Sequence, residues 1–429
     1  MTFARLSLAI GVATLSTATL AAPPSFNTAR SFGMGGTGVA IAHPTTANTA
    51  NPAMLAAKQH QWSDDFGLIL PSVNARYADE EEVVDQVDDI QSTLDEFEQA
   101  LDTLTVATED ETRAKANELY NQLLELRGDT VRGDVAAGIS LAVPNDTLAV
   151  GVFTNASATI TMRGLVSEAD LAKLEDIIDG PPPPLSSVNA DVESSGRVLG
   201  AAVLEAGVSF ARSFDLGLEN PVQLGVSPKY VQLRTYQYTQ LIDNFDEEDF
   251  DDGDYETTKS GFNLDLGAAY AFGDDQQWNT GVAVRNLVPM ELDSAHDATR
   301  GEQERTLELN PAVTVGIAHT GDYHVLTAEA ELTEQQAFGY EDDTQWVAVG
   351  AEFDAFRLAQ LRLGARHNLA SNSDNSGIEE DTQFTAGIGL SPFLLPVSRR
   401  ALTIMGFLTR STAGNFNNGH LSGRRRCPG

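Results

Sequence analysis

The sequence has almost no cysteine and few positively charged residues, and each shortage excludes a class of protein. Its 429 residues include a single cysteine, Cys427, so no disulfide bond can form within the chain. Lys and Arg number 27 against 62 Asp and Glu, which gives a formal net charge of −35 at pH 7. Because nucleic-acid binding depends on Lys and Arg contacts to phosphates, the composition predicts no nucleic-acid partner.

Catalytic patterns and long apolar runs are also missing. No run of about 18 or more apolar residues follows the N-terminal region, so no transmembrane helix is expected. The seven histidines have no metal-ligand spacing, and no Gly-x-Ser-x-Gly nucleophile elbow occurs. We therefore predict that the protein is not an enzyme and that it has no catalytic residue, cofactor or metal ligand.

The acidic stretch from Asp243 to Glu256 leaves calcium binding open as an alternative to that prediction. Nine of its fourteen residues are carboxylates, and such a charge run is typical of a solvated loop. Carboxylate oxygens also suit calcium. An EF-hand is excluded, because placing Gly253 at the sixth loop position puts Phe250 at the third and Lys259 at the twelfth.

Residues 1–21 have the features of a secretory signal peptide. Arg5 supplies the positive charge, residues 6–15 form a short apolar core, and Thr19-Leu-Ala21 is a small-residue cleavage site. We therefore expect an exported protein. Without paired cysteines, an exported chain needs a large core or a closed sheet to hold it together.

A glycine-rich stretch follows, with four glycines in the six positions from Gly33 to Gly38 and an Asn51-Pro-Ala53 sequence shortly after it. Glycine allows positive φ and close approach of the backbone to another chain, so we expect this stretch to occupy a narrow space. Gly33-x-Gly35-x-x-Gly38 also matches the dinucleotide-binding fingerprint. That fingerprint requires a preceding buried strand and an acid about 20 residues later, and the sequence provides neither.

Helical periodicity appears between residues 79 and 128. Two apolar stripes step by three and four residues, which predicts two amphipathic helices joined by a short polar turn. We expect an antiparallel helical hairpin inserted into the chain, outside any lipid. Either the stripes bury each other, or part of this coiled coil binds a partner protein. The stripes are Val83, Val87, Ile90, Leu94, Phe97, Leu101 and Leu104, and then Ala116, Leu119, Leu123 and Leu126.

The rest of the chain alternates with a period of two, which predicts strands. A first strand is expected within residues 61–78, and residues 129–410 contain further segments of about ten residues, the length a tilted membrane strand needs. One such segment is residues 307–319. Apolar residues occupy one face. The second face carries Gly, Ala, Ser and isolated charges, which we expect to line a barrel lumen: Glu205, Asp265, Arg285, Glu329, Glu331, Glu352, Arg362 and Arg366.

This alternation favours a transmembrane barrel over a soluble sheet, because a soluble sheet usually presents a face rich in Lys, Glu and Thr to water. Aromatic residues near the predicted strand ends fit the girdle of a membrane barrel. The alternative is a soluble periplasmic β-rich adaptor or structural protein whose coiled coil binds a partner.

Two segments resemble a known family. Arg30-Ser-Phe-Gly-Met-Gly-Gly-Thr-Gly-Val-Ala40 and Asn51-Pro-Ala-Met-Leu55 resemble the mature N-terminus of the FadL-type outer-membrane proteins. Within that superfamily the chain most resembles the TraF-type conjugal-transfer proteins of plasmid transfer operons. Shorter similarities are Val226-Ser-Pro-Lys-Tyr230, Val284-Arg-Asn-Leu-Val-Pro289 and Leu390-Ser-Pro-Phe393.

The resemblance implies an all-β fold, a transmembrane antiparallel β-barrel of about fourteen strands, located in the bacterial outer membrane. Residues 22–60 would form a hatch that plugs the barrel. FadL-type relatives pass hydrophobic small molecules, and TraF-type relatives are named for plasmid conjugation. The expected partners are outer-membrane lipid, hydrophobic small molecules, and envelope or conjugation proteins that contact the helices within 83–126. The hatch motif comprises Gly33, Gly35, Gly36, Gly38, Asn51 and Pro52.

The C-terminal residues depart from this pattern. Outer-membrane barrels typically end on a strand with a terminal aromatic residue, whereas residues 411–429 are neither alternating nor acidic and end in Arg424-Arg-Arg-Cys-Pro-Gly429. We expect residues 411–429 to form a disordered tail beyond the barrel.

Overall fold

One large antiparallel β-sheet dominates the structure, a computed structural model. A mainly β fold is therefore confirmed. The predicted signal peptide and the tail at 411–429 lie outside the described residues. The described residues are 28–57, 67–79, 82–102, 109–180, 192–244, 255–355, 359–372 and 381–390.

Fourteen strands and five α-helices form within the described residues. The strands are β1 (Gly67–Asp79), β2 (Thr130–Val143), β3 (Ala149–Leu165), β4 (Ser195–Phe214), β5 (Val222–Leu241), β6 (Glu256–Phe272), β7 (Trp278–Arg285), β8 (Met290–Asp293), β9 (Thr306–Leu309), β10 (Ala312–Thr320), β11 (His324–Glu331), β12 (Trp346–Ala355), β13 (Ala359–Asn368) and β14 (Thr382–Leu390). The helices are α1 (Ala29–Gly33), α2 (Pro44–Ala50), α3 (Val83–Asp102), α4 (Glu109–Leu126) and α5 (Glu168–Asp179).

The large sheet is an up-and-down meander of twelve strands. Each strand pairs antiparallel with its neighbour in sequence, except that β7 pairs with β10 while β8 and β9 form a separate hairpin. Short turns therefore collect at one end of the sheet and long connections at the other. The edge strands β1 and β14 do not pair with each other within the described residues, and the predicted strand near 402–408 lies outside them.

One predicted strand is divided in the structure. Residues 307–319 were expected to form a single strand, but the chain breaks at Asn310-Pro311 into β9 and β10. Proline has no backbone N–H and cannot donate to a central ladder, so the sheet resumes after it. The piece before the break, β9, pairs with β8 instead.

The two faces of the large sheet differ sharply in polarity. Large apolar side chains are exposed on the outer face, for example Ile160 at 55%, Phe262 at 80% and Phe384 at 68%. The inner face buries polar and charged side chains, among them Lys229 and Asp265. This distribution is the reverse of a water-soluble sheet, which buries its apolar face. None of the described helices is long and apolar enough to cross a membrane.

The helices at the end with the long connections pack into one cluster. The predicted apolar stripes lie on α3 and α4, apart from Leu104, which is outside the described residues, and they also bury Leu171, Leu174 and Ile177 of α5. The Arg113 side chain joins α4 to α5, because it donates to the carbonyl oxygens of Ile177, Ile178 and Gly180. The stripes therefore bury a third helix in addition to each other, an arrangement that the sequence did not predict.

The α4 helix offers a matched pair of leucines that tests this cluster. Leu123 is fully buried, whereas the next residue, Leu124, is 40% exposed. We expect Leu123→Ala to destabilise the helical cluster by about 2–5 kcal/mol, because it leaves a cavity. Leu124→Ala should change stability by about 0.5 kcal/mol or less. Hydrogen exchange of the α4 amides would measure both effects, and equal protection in the two variants would contradict this packing.

Candidate functional site

Residues 28–57, which we call the inner segment, lie on the inner face of the large sheet. Their helix α1 contacts β13 and β14, α2 contacts β1, β2 and β3, and the 3-10 helix Pro52–Ala56 contacts strands from β3 to β6. Because one short segment touches strands at both edges of the sheet, the sheet curves around it.

Glycines in the strands make room for the backbone of the inner segment. A Cβ atom on Gly364 would lie 2.1 Å from the Gly35 nitrogen, and one on Gly225 would lie 2.4 Å from the Ala53 nitrogen. Both distances are far below van der Waals contact. The sequence predicted small residues on the inner face of the sheet. It did not show that these glycines lie opposite the backbone of the inner segment. Gly151, Gly267, Gly281 and Gly350 are blocked by inner-segment atoms in the same way.

The predicted glycine motif lies at these close contacts. Gly35 and Gly36 have φ values of +74° and +87°, in the left-handed region that disfavours side chains. A Cβ on Gly33 would lie 3.3 Å from Gly387 Cα on β14. Gly38 contributes its backbone N–H, which donates to the carboxylate of Glu329.

The Glu329 carboxylate on β11 is the central polar contact of the inner segment. Its Oε1 accepts hydrogen bonds from the backbone nitrogens of Gly38 at 2.8 Å, Val39 at 2.7 Å and Ala40 at 3.4 Å. Glu329 is buried, so its charge relies on these N–H groups in place of water. The sequence placed Glu329 on the inner face, but its partners are about 290 residues away in the chain.

Asn51 fixes the other end of the inner segment. Its Nδ2 donates to the carbonyl oxygens of Val39 at 2.9 Å and of Ala268 on β6 at 3.1 Å. Its Oδ1 accepts from the Ala53 nitrogen at 3.1 Å and so caps the 3-10 helix that begins with Pro52. The Asn51 side chain thus bonds three backbone groups, two in the inner segment and one on β6.

Two of the predicted lumen charges, Glu352 and Arg362, form a cluster with a residue that the sequence analysis missed. Arg30 of α1 binds Glu352 through two hydrogen bonds, with Nε to Oε2 at 3.0 Å and Nη2 to Oε1 at 2.9 Å. Arg362 Nε donates to Glu352 Oε2 at 2.6 Å. The bidentate pair attaches α1 to β12.

Glu205 and Asp265 lie together on either side of buried Lys229. The Lys229 Nζ is 2.6 Å from Glu205 Oε1 and 2.8 Å from Asp265 Oδ1. A second buried cluster joins Asp134 with Arg76 at 2.7 Å and Arg132 at 3.0 Å. None of these three basic partners was predicted, because cross-strand pairing requires the register of the sheet.

A cavity of about 220 Å³ lies between the inner segment and the long connections. Six basic and six acidic side chains line it, so the cavity, which we call the chamber, is strongly polar. The predicted residues Arg285 and Arg366 both contribute to it. Within the described residues, no group of three or more His, Cys, Asp or Glu side chains could hold a metal, and the acidic stretch 243–256 lies mostly outside them.

The end of the interior with the long connections is filled by the β8–β9 hairpin and by residues 332–345. Phe338 and Tyr340 pack with the hairpin against the inner face of β4 and β5. The Tyr340 ring lies near two guanidinium groups, with Arg163 at 4.0 Å and Arg305 at 5.3 Å from its centroid. Burial raises the pKa of the nearby Glu341 carboxyl, although the charge of Arg132 opposes this effect.

These features define an up-and-down antiparallel sheet, apolar outside and polar inside, that is wrapped around its own N-terminal segment. The chain belongs to the family described as "F plasmid transfer operon, TraF, protein", whose model matches residues 48–330. The TraF-type resemblance of the sequence is therefore confirmed. A search of curated proteins gave no significant match.

Three solved structures are similar to the chain at low sequence identity. The TodX deltaS2S3 mutant monoaromatic hydrocarbon channel is 13% identical, with 85% of this chain and 90% of that chain covered and a TM-score of 0.49. The Ralstonia pickettii toluene transporter TbuX is 11% identical, with coverage of 85% and 96% and a TM-score of 0.36. A Pseudomonas aeruginosa FadL homologue is 10% identical, with coverage of 62% and 67% and a TM-score of 0.30.

The strand glycines provide a direct test of the docking of the inner segment. We expect Gly364→Ala to displace the segment, because the new Cβ would meet backbone atoms of Met34 and Gly35. Gly133→Ala is the control, since nothing lies within 4 Å of its Cβ position. A cysteine at buried Thr37, in a Cys427→Ser background, would report the displacement through maleimide labelling.

Labelling of Thr37→Cys should be slow in the parent and in Gly133→Ala, and faster by about tenfold or more in Gly364→Ala, which corresponds to about 1.4 kcal/mol. Equal labelling rates in all three proteins would show that the close approach at Gly364 does not hold the inner segment.

Proposed function

We propose that the protein is an outer-membrane β-barrel whose lumen is closed by residues 22–60 acting as a hatch. The observation that carries this proposal is the reversed polarity of the large sheet, with apolar side chains on its outer face and charged side chains on its inner face. In lipid, a sheet satisfies its backbone hydrogen bonds only when it closes, so the proposal includes closure of the barrel. The distribution of short turns and long connections also fits a barrel in the outer membrane.

The soluble alternative does not account for the outer face. Soluble monomers rarely expose contiguous apolar patches larger than a few hundred Å². Exposed apolar side chains occur here on nearly every strand of the large sheet, from Val135 and Val152 through Leu224 to Ile317 and Leu361. A periplasmic adaptor would need to cover this whole surface with protein.

The remaining segments have assigned roles in this proposal. Residues 1–21 direct export, residues 61–78 begin the wall, residues 79–128 form the helical insertion outside the lipid, and residues 129–410 complete the barrel. Residues 411–429 form a tail. Outer-membrane lipid is the partner of the outer face, and the helical insertion is the candidate contact for other envelope proteins.

The family description connects the chain to plasmid transfer. The FadL-type resemblance connects it to the passage of hydrophobic small molecules. We propose a gated barrel that serves one of these processes, with the inner segment as the gate. An apolar ligand needs a mainly apolar pocket, and the charged lining of the chamber offers a better match to a polar occupant.

Fractionation tests the membrane assignment. We expect the protein in the outer-membrane fraction and expect its gel mobility to change on boiling, because a closed barrel resists detergent until it is heated. A periplasmic protein whose mobility is the same before and after boiling would overturn the proposal and favour the soluble adaptor.

Gly36→Leu tests the gate. Gly36 has space around its Cβ position, since the nearest atom is Arg366 Nη1 at 3.8 Å, but its positive φ strains any side chain by about 1–3 kcal/mol. We expect the variant to unseat the hatch and to raise the passage of small solutes into proteoliposomes. Gly133→Leu is the control, and heat-dependent mobility confirms assembly of both variants.

Plasmid transfer frequency and uptake of a hydrophobic dye should be measured for the same variants. A role in conjugation alone predicts unchanged permeability with reduced transfer. If an assembled Gly36→Leu protein changes neither permeability, nor dye uptake, nor transfer, the inner segment is not a gate.

A further inference from the structure

The chamber is closed on two sides by parts of the same chain. The inner segment forms one boundary through Gly35, Thr37 and Val39, and residues 335–337 form another. Its lining contains equal numbers of basic and acidic side chains, so its overall charge says little about an occupant. The arrangement of the individual charges is more informative.

Most charged side chains of the chamber are engaged within the protein. Lys229 binds Glu205 and Asp265, Arg30 binds Glu352, and Glu329 accepts from the inner segment. Arg76 and Arg132 both contact Asp134. Each of these side chains is paired with an opposite charge or forms hydrogen bonds to the protein backbone.

Arg285 at the end of β7 is the exception. Its side chain lines the chamber but donates no hydrogen bond and forms no ion pair within 4 Å among the described residues. A guanidinium group carries five N–H donors and stays protonated in proteins, so an unused one in a cavity is a strong site for an anion.

The charges near Arg285 favour a negative ligand. Arg285 and Arg366 both lie close enough to Glu331 to interact with its charge, and so does Glu329, whose carboxylate already accepts hydrogen bonds from the inner segment. Glu331 already accepts a hydrogen bond from the Trp346 nitrogen at 3.0 Å. The Arg366 guanidinium lies over the Trp346 ring, 4.1 Å from its centroid, and donates to Gln383. Arg366 is thus held in place, while Arg285 retains its donors.

We propose that the chamber binds a small organic carboxylate, with Arg285 as its principal ligand and Arg366 adding positive charge. A carboxylate can accept two parallel N–H bonds from one guanidinium group. The cavity volume lies below the range of about 300–1,000 Å³ that is usual for drug-sized ligands, so the occupant is small. This assignment names an occupant for the interior of the proposed barrel and rests on that function only for its biological meaning.

Isothermal titration calorimetry of the purified full-length protein in detergent tests the site, with sodium succinate as the probe. We expect saturable binding of succinate and none of succinamide, its neutral analogue of similar shape. Arg285→Gln should weaken binding by about tenfold or more, which corresponds to about 1.4 kcal/mol. Arg285→Lys should retain part of the affinity, because the charge remains but the bidentate geometry is lost.

Arg212→Gln is the matched control. It removes the same charge from an exposed position on β4, where the guanidinium lies over Phe214 rather than in the chamber. Its affinity for succinate should equal that of the parent. All titrations share one sodium chloride concentration, and the heat-dependent gel shift of each variant shows that it is assembled.

Three results would overturn the assignment: no saturable binding of succinate, equal affinity in Arg285→Gln and the parent, or binding of methylammonium in place of the carboxylate. The result of the succinate titration does not depend on whether the membrane proposal is correct. If the protein is soluble, shows no heat-dependent gel shift and binds succinate through Arg285, the barrel proposal is wrong and the carboxylate site is supported. An assembled outer-membrane barrel without succinate binding would do the opposite.

Discussion

The structure depends on one constraint, which is the close approach of the inner-segment backbone to the backbone of the surrounding strands. Six strand glycines lie at these contacts, and a Cβ would lie 2.1 Å from the Gly35 nitrogen at Gly364 and 2.4 Å from the Ala53 nitrogen at Gly225. At that distance the buried N–H groups of the segment cannot reach water. Polar side chains supply the hydrogen bonds that water would otherwise make. Glu329 accepts from the N–H group of Gly38, and Asn51 and Asn279 donate to the carbonyl oxygens of Val39 and Ala40.

The sequence predicted the helices and strands of the fold better than the contacts between them. Period-two alternation located most strands of the sheet, and the stripes located α3 and α4, because both patterns are local. The ion-pair partners of the side chains on the inner face could not be predicted from local patterns. Lys229 lies between Glu205 and Asp265 only because the register aligns β4, β5 and β6. Similarly, nothing local to α4 predicts that Arg113 binds the end of α5.

The reversed polarity of the sheet and the filled interior are two aspects of the same arrangement. A sheet with apolar residues outside must place its charges inside, where each charge needs an opposite charge or an oriented dipole. Most inner charges are satisfied in this way, by Asp134, by Glu352 or by backbone N–H groups. A position at which this balance is incomplete, such as Arg285, therefore has more functional meaning inside this sheet than it would on a solvated surface.

The position of the inner segment in the chain also determines the order in which the molecule can be completed. The Gly35 nitrogen donates to Thr385 Oγ1 on β14, a contact between residues 350 positions apart. The segment is the first described part of the chain, and β14 is the last. The contacts of the inner segment with β4 to β6 can form before the sheet is complete. The glycine motif can pack against its strands only after β12, β13 and β14 have joined the sheet. Within the described residues, closing this loop of about 350 residues is thus the step that fixes the glycine motif in place.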